Sequence, residues 1–177
     1  MLIMNYFEFY NIQETFTPNQ KLVKQKFYEL SRTYHPDFFV NESEEKQKEI
    51  LELSTFNNKA YQTLSNPDKL TEYLLSLKGE INENEKYALP EDFLLEMMDV
   101  NEALMELDVE PNLASISAIK EQVNAVESNL LMQQKVLSDN YNTTNDASIL
   151  KDIKDIYYRK KYLLRIRESI NKFAART

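Results

Sequence analysis

The chain has 177 residues, a net charge of −8, 42% hydrophobic residues, one glycine and no cysteine. So little glycine argues against a turn-rich sheet or a phosphate-cradling loop and for helices. The absence of cysteine excludes disulfides, thiolate metal sites and cysteine nucleophiles.

No apolar run approaches the roughly 20 residues of a membrane span. Met1 to Asn5 lack the long apolar core of a signal peptide, so a cytoplasmic location without membrane contact is expected. Charge is unevenly spread. Residues 80–110 hold eleven acidic side chains and one basic, whereas residues 151–177 hold nine basic and three acidic. Two neighbouring helices with complementary faces account for this. The acidic stretch opposes a nucleic-acid tail, and no nucleic-acid partner is expected.

In chain order, residues 4–12 read as a short aromatic helix that needs a larger partner. Thr17-Pro18-Asn19-Gln20 reads as a capping box, with Thr17 as N-cap and Gln20 reaching back. The helix that follows places Val23, Phe27, Leu30 and Tyr34 on one face, the expected core side. Lys21, Lys24, Gln25, Tyr28 and Arg32 share another stripe, which runs toward His35, the only histidine. Pro36 lacks a backbone N–H and disfavours a helical His35, so the helix must stop at His35-Pro36-Asp37. A basic stripe ending in this turn suits an acidic partner surface; a merely solvated face is the plainer alternative.

Asn41 is expected to cap the next helix, with Glu44 reaching back to it. That helix runs to about Leu64 and shows Ile50, Leu53, Asn57, Ala60, Tyr61 and Leu64 along one side, completing a helical hairpin. Asn66-Pro67 opens a short helix over 68–77, and Gly79 ends it. Polar residues 80–89 read as a linker. Three further helices are expected: from Pro90 to about Leu107, from Pro111-Asn112 to about Asp139, and from Asp146 to near the C-terminus. Residues 140–145 form the turn between the last two. The whole is all-α, with a hairpin domain over 1–79 and an antiparallel three-helix bundle over 90–177.

The helix near 91–107 carries two apolar stripes. Phe93, Met97, Val100, Leu104 and Leu107 supply a core face. Leu94, Leu95, Met98 and Met105 lie elsewhere, flanked by Asp99, Glu102 and Glu106. They form either an adaptable docking patch ringed by carboxylates or a second covered side. Catalysis is poorly provided for: one histidine, no cysteine, no glycine loop and carboxylates on solvated faces. His35 with Asp37 is too small a set for a metal. No catalytic residue, metal or cofactor is expected.

Lys26 to Asp37 together with Asn58 to Leu64 resemble a J-domain, the module that drives DnaK-type chaperone ATPases. With Tyr6-Phe7, Pro67 to Gly79 and Phe93 to Leu107 added, the chain resembles the HscB family of iron–sulfur cluster assembly over nearly its full length. The match is weakest over 111–150. The resemblance implies a J-domain that stimulates a DnaK/HscA-type ATPase and a bundle that delivers an IscU-type scaffold. An adaptor bringing another client to a general DnaK is the alternative. By position, the chaperone contacts are His35, Pro36, Asp37, Lys26 and Arg32, with Lys21, Lys24 and Tyr28 on the same basic helix. The scaffold patch maps to Leu94, Leu95, Met98, Asp99 and Glu102, with Tyr162 of the last helix. Phe38 stands where the family commonly has a lysine or arginine.

Overall fold

The structure is a computed structural model and describes residues 4–82, 84–109 and 112–175. The described residues form helices and loops without strands. They divide into two compact units, Met1–Lys78 and Gly79–Thr177. The segment read as a linker thus falls in the second unit.

In the first unit, α1 (Tyr6–Tyr10) is closed by a capping box between Asn5 and Glu8 and by Asn11 in the left-handed region. Five residues cannot hold a helix alone. Here burial of Phe7 and Tyr10 does so, aided by Phe9 edge-on to Phe56 and Tyr6 stacked on Tyr73. α2 (Gln20–Thr33) and α3 (Glu44–Leu64) are antiparallel: Phe27 stacks on Tyr61 at 4.3 Å, and Gln20 Nε2 donates to the Leu64 carbonyl. α4 (Pro67–Leu77) buries Leu70, Leu74 and Leu75, and Gly79 follows with φ +75, as a helix terminus in the left-handed region requires.

Both expected N-caps are displaced by two residues, and in place of each expected capping box stands a simple side-chain cap. Asn19, not Thr17, caps α2, because its carboxamide accepts from the N–H groups of Lys21 and Leu22. Pro18 therefore precedes the helix, and Gln20 spends its side chain across the hairpin. Likewise Ser43, not Asn41, caps α3 through its hydroxyl and Lys46 N–H. In each case the side chain nearer the helix could reach two or three residues on.

Asn57 is the polar centre of this unit and is fully buried. Its side chain donates to the Phe27 carbonyl and Ser31 Oγ of α2, and accepts from the Tyr10 hydroxyl of α1 at 2.9 Å. All three helices are tied to one carboxamide. Burial pushes the Tyr10 hydroxyl well above the usual phenol range, with Tyr61 adding to it.

In the second unit, Pro90 precedes α5 (Glu91–Glu96), and α6 follows over Met98–Val109. The single helix expected over 91–107 is broken at Met97, which adopts φ −88 and ψ −1. α7 (Leu113–Thr144) is 32 residues long and α8 (Ser148–Ala174) is 27. They are antiparallel: Lys160 donates to Gln134, and Arg167 pairs with Glu127 and bonds Asn124. Asn112 caps α7; the expected Pro111 start lies outside the described residues.

The expected turn over 140–145 is helix up to Thr144. Thr143 and Thr144 hydroxyls bond back to the Asp139 and Asn140 carbonyls within the helix, Tyr141 is buried, and only Asn145 turns left-handed. The core joins Phe93, Met97, Val100 and Leu107 to Ile119, Val123, Leu163 and Ile170. Glu80, Glu85 and Tyr87 lie along α8. Lys154 Nζ bonds the Glu80 carbonyl and Glu85, and Tyr87 stacks on Tyr158 at 4.3 Å. Lys154 holds the Glu85 carboxyl below its ordinary value. Burial, with a bond to Asp155, pushes the Tyr87 hydroxyl up to about 12.

Candidate interaction sites

The first site is the turn after α2. The helix stops at Thr33, and Pro36 opens a short 3-10 turn over Pro36–Phe39. His35 is extended, and its Nδ1 accepts from Asp37 N–H at 3.3 Å while Phe38 N–H donates to the His35 carbonyl. With Nδ1 accepting, the imidazole keeps Nε2–H as its remaining donor. The Asp37 carboxylate lies 3.7 Å from Nδ1 and is among the most exposed side chains of the turn. At the far end Gln47 Nε2 donates to the Val40 and Glu42 carbonyls, which fastens the loop to α3.

Lys21, Lys24, Tyr28 and Arg32 are all exposed on α2, as are His35, Pro36 and Asp37. Lys26 differs. It is half-buried, falls off this stripe on the helix wheel, and pairs with Glu29 at 3.1 Å. Phe38 and Val40 also stand exposed beside the turn. The arrangement presents a fixed carboxylate and imidazole at the end of a row of cations, which is equipment for docking on a charged surface.

The second site is on α5 and α6. The core stripe is buried at Phe93, Met97, Val100 and Leu107, with Leu104 partly so. The other stripe is not covered. Leu94 and Met98 are largely exposed, and Leu95 and Met105 are 68% and 73% exposed. Asp99, Glu102 and Glu106 stand exposed around them. Among the described residues of the second unit nothing packs over this stripe.

Tyr162 of α8 sits beside this stripe. Its ring meets Phe93 edge-on at 5.6 Å, and its hydroxyl shares two hydrogen bonds with the Asn101 carboxamide, at 2.8 and 2.9 Å. Asn101 also donates to the Met97 carbonyl at the break between the helices. Sequence reasoning missed Asn101. Its signal was available: it is the one uncharged polar residue of α6 and stands between the two apolar stripes on the wheel. The structure thus brings Tyr162 to the α5–α6 face through a residue that was not singled out. Among the described residues no three side chains gather to hold a metal ion, and no helix is long and apolar enough to cross a membrane.

Comparison with known proteins bears on both sites. The model of the DnaJ domain matches residues 5–73, and that of the HscB C-terminal oligomerisation domain matches residues 89–171. The Buchnera aphidicola co-chaperone protein HscB is 31% identical over 163 residues, covering 89% of this chain and 90% of that protein. This chain belongs to the HscB family. The human iron-sulfur cluster co-chaperone protein HscB is 31% identical over 167 residues, 94% of this chain and 67% of its own length. The crystal structure of human HscB matches with a TM-score of 0.73 at 29% identity, covering 97% of this chain and 82% of that one. HscB proteins are J-domain co-chaperones rather than a family of enzymes, which places the turn after α2 in the J-domain of a co-chaperone.

Proposed function

We propose that this HscB chain stimulates ATP hydrolysis by a DnaK/HscA-type chaperone and delivers to it an IscU-type iron–sulfur scaffold protein. The observation that carries the reading is the uncovered stripe of Leu94, Leu95 and Met98. A helix whose core needs are met by one face has no structural use for a second apolar face, least of all one ringed by carboxylates. The human relative's name supports an iron–sulfur client.

The mechanism is docking, with no bond made or broken by this chain. Lys21, Lys24 and Arg32 draw α2 toward an acidic surface of the ATPase. Asp37, held by the rigid turn, then pairs with a basic group there and favours the hydrolysis-competent state. His35 fixes the turn from within, and Pro36 keeps the helix from running through it. Client and ATPase are held by one chain, so the client's effective concentration at the chaperone rises without a new contact.

Titration calorimetry against the IscU-type scaffold of the same cell tests the reading. Wild type should bind with a micromolar constant, and a Leu95→Ala/Met98→Ala double variant should lose about tenfold or more, the loss of two exposed apolar anchors. No binding by wild type would leave a J-domain co-chaperone with another client. Equal binding by the double variant would remove the patch from the interface.

A further inference from the structure

The face around Tyr162 has two halves of opposite charge. Going round α6 from the core, Asn101 comes first, then Met98 and Met105, then Glu102 and Asp99, and Leu94 is exposed on α5 before them, so this half is apolar and acidic. On the other side of Tyr162 lies a groove of about 460 Å³ along α8 and residues 85–89, whose walls include Lys86, Tyr87, Leu89, Tyr158, Leu164 and Arg165. Its floor is apolar and aromatic, and its one carboxylate, Glu85, is taken up by Lys154. The Arg165 guanidinium lies 5.7 Å from the Tyr162 ring centroid, so the groove begins where the acidic half ends. Among the described residues no ion pair engages Asp99, Glu102, Glu106, Lys86 or Arg165.

A surface with an apolar middle, an acidic side and a basic side is complementary to itself under a two-fold rotation. We propose that this face pairs with the same face of a second copy of the chain, Asp99 and Glu102 of each copy meeting Lys86 and Arg165 of the other. The matched family model is described as an oligomerisation domain but names no face. The apolar middle of such a pair is the stripe of Leu94, Met98 and Tyr162, so self-association and client binding exclude one another. Self-association stands on the charge pattern and apolar surface; the exclusion rests on the function proposed above. With few large apolar side chains to bury, the pair belongs near the low end of stable interfaces, about 1,200 Å² in total. It is therefore a concentration-dependent dimer that holds the client face closed until a client displaces it.

Sedimentation velocity of the full chain, from low to several hundred micromolar, reads the inference directly. Wild type should shift from monomer to dimer. Asp99→Lys/Glu102→Lys and Lys86→Glu/Arg165→Glu should each raise the dissociation constant at least about tenfold, as like charges are brought together. An equimolar mixture of the two variants should dimerise again, because each reversed half then meets its reversed complement. The reversals shift the net charge of −8 by four units in opposite directions and leave both chains negative, so overall attraction does not explain a recovery. A wild type that stays monomeric throughout, or variants that dimerise as wild type does, would overturn the pairing. So would a mixture that fails to recover when each variant keeps the wild-type circular dichroism. Adding the scaffold to the dimer separates the two readings. Conversion to one-to-one complexes supports exclusion, and a four-chain complex overturns exclusion alone. A dimer indifferent to scaffold points to failure of the proposed client while the pairing stands.

Discussion

The two units solve recognition in opposite ways. In the J-domain the exposed elements are charged and conformationally fixed: a row of cations on α2 and a carboxylate on a turn braced by His35, Pro36 and Gln47. In the second unit the exposed elements are apolar and pliable, with leucine and methionine on α5 and α6 beside a tyrosine held by Asn101. Charge acts at a distance and is screened by salt, so the first surface suits brief and repeated engagement. Buried apolar area gives residence, so the second suits a client that must be carried. Under the function proposed above, letting go of an ATPase while keeping a cargo needs this inequality.

The internal construction differs in parallel. The first unit hangs on one buried carboxamide, the second on a long apolar seam between α7 and α8. Asn57→Ala should therefore have the largest effect. It removes the bonds to the Tyr10 hydroxyl, the Phe27 carbonyl and Ser31 Oγ and leaves a void, while the Tyr10 hydroxyl keeps only its bond to the residue 57 carbonyl. The expected loss is about 3–5 kcal/mol of the first unit's stability. Two-transition chemical unfolding checks it, because the second unit's transition should stay in place.

The next effect is functional. Asp37→Asn should lower stimulation of the chaperone ATPase at least about tenfold, an energy of about 1.4 kcal/mol, with circular dichroism unchanged. Stimulation equal to wild type would remove the turn from its assigned role. Raising salt should weaken stimulation by the wild type more than it weakens scaffold binding.

Tyr162→Phe sharpens the description of the second surface. It keeps the ring against Phe93 and deletes both bonds to Asn101. The expected loss is about 1 kcal/mol or somewhat more in scaffold affinity, seen by calorimetry. Asn101→Leu should produce the same loss; an effect confined to one of the pair would break the claim that they act together.

The smallest effects are those of pH. The Glu85 carboxyl is lowered by Lys154, so its contribution to the second unit is complete above the ordinary carboxylate value and lost as pH falls through the lowered one. Glu85→Gln should flatten that acid limb in thermal melts. The Tyr10 hydroxyl is raised, chiefly by burial, so its contribution to the first unit is complete below the free phenol value near pH 10 and fades as pH rises beyond it. Tyr10→Phe should flatten the alkaline limb of the first unit's unfolding.

The helices were legible because their signals are local. Val23, Ile50, Asn57, Ala60, Leu64, Phe93 and Val100 all lie on the faces that periodicity assigned to the core. Caps were legible only to within two residues, because Thr17 and Asn19, or Asn41 and Ser43, compete for the same task and the winner depends on geometry at the helix start. The break at Met97 left no trace. Neither proline nor glycine stands there, and the bond from Asn101 to the Met97 carbonyl involves a side chain whose role only tertiary packing reveals. The extension of α7 to Thr144 was hidden for the opposite reason. Asn140, Asn142, Thr143 and Thr144 look like a turn, yet the threonine hydroxyls satisfy themselves within the helix, and the burial of Tyr141 outweighs their weak propensity. The apolar stripe at 94–105 was legible as a surplus but not as an exposed surface, since exposure depends on what else the chain packs there.

The position of Asn57 also sets a schedule. During synthesis α1 and α2 leave the ribosome first, carrying the Tyr10 hydroxyl and the Ser31 and Phe27 groups, with nothing yet to bond them together. The carboxamide that joins them arrives 47 residues after Tyr10. The carboxamide network that ties the three helices of the J-domain together can therefore form only once the middle of α3 has been made. Until then α1 and α2 share no polar anchor, although the turn's own bonds, which reach no further than Gln47, need nothing beyond it.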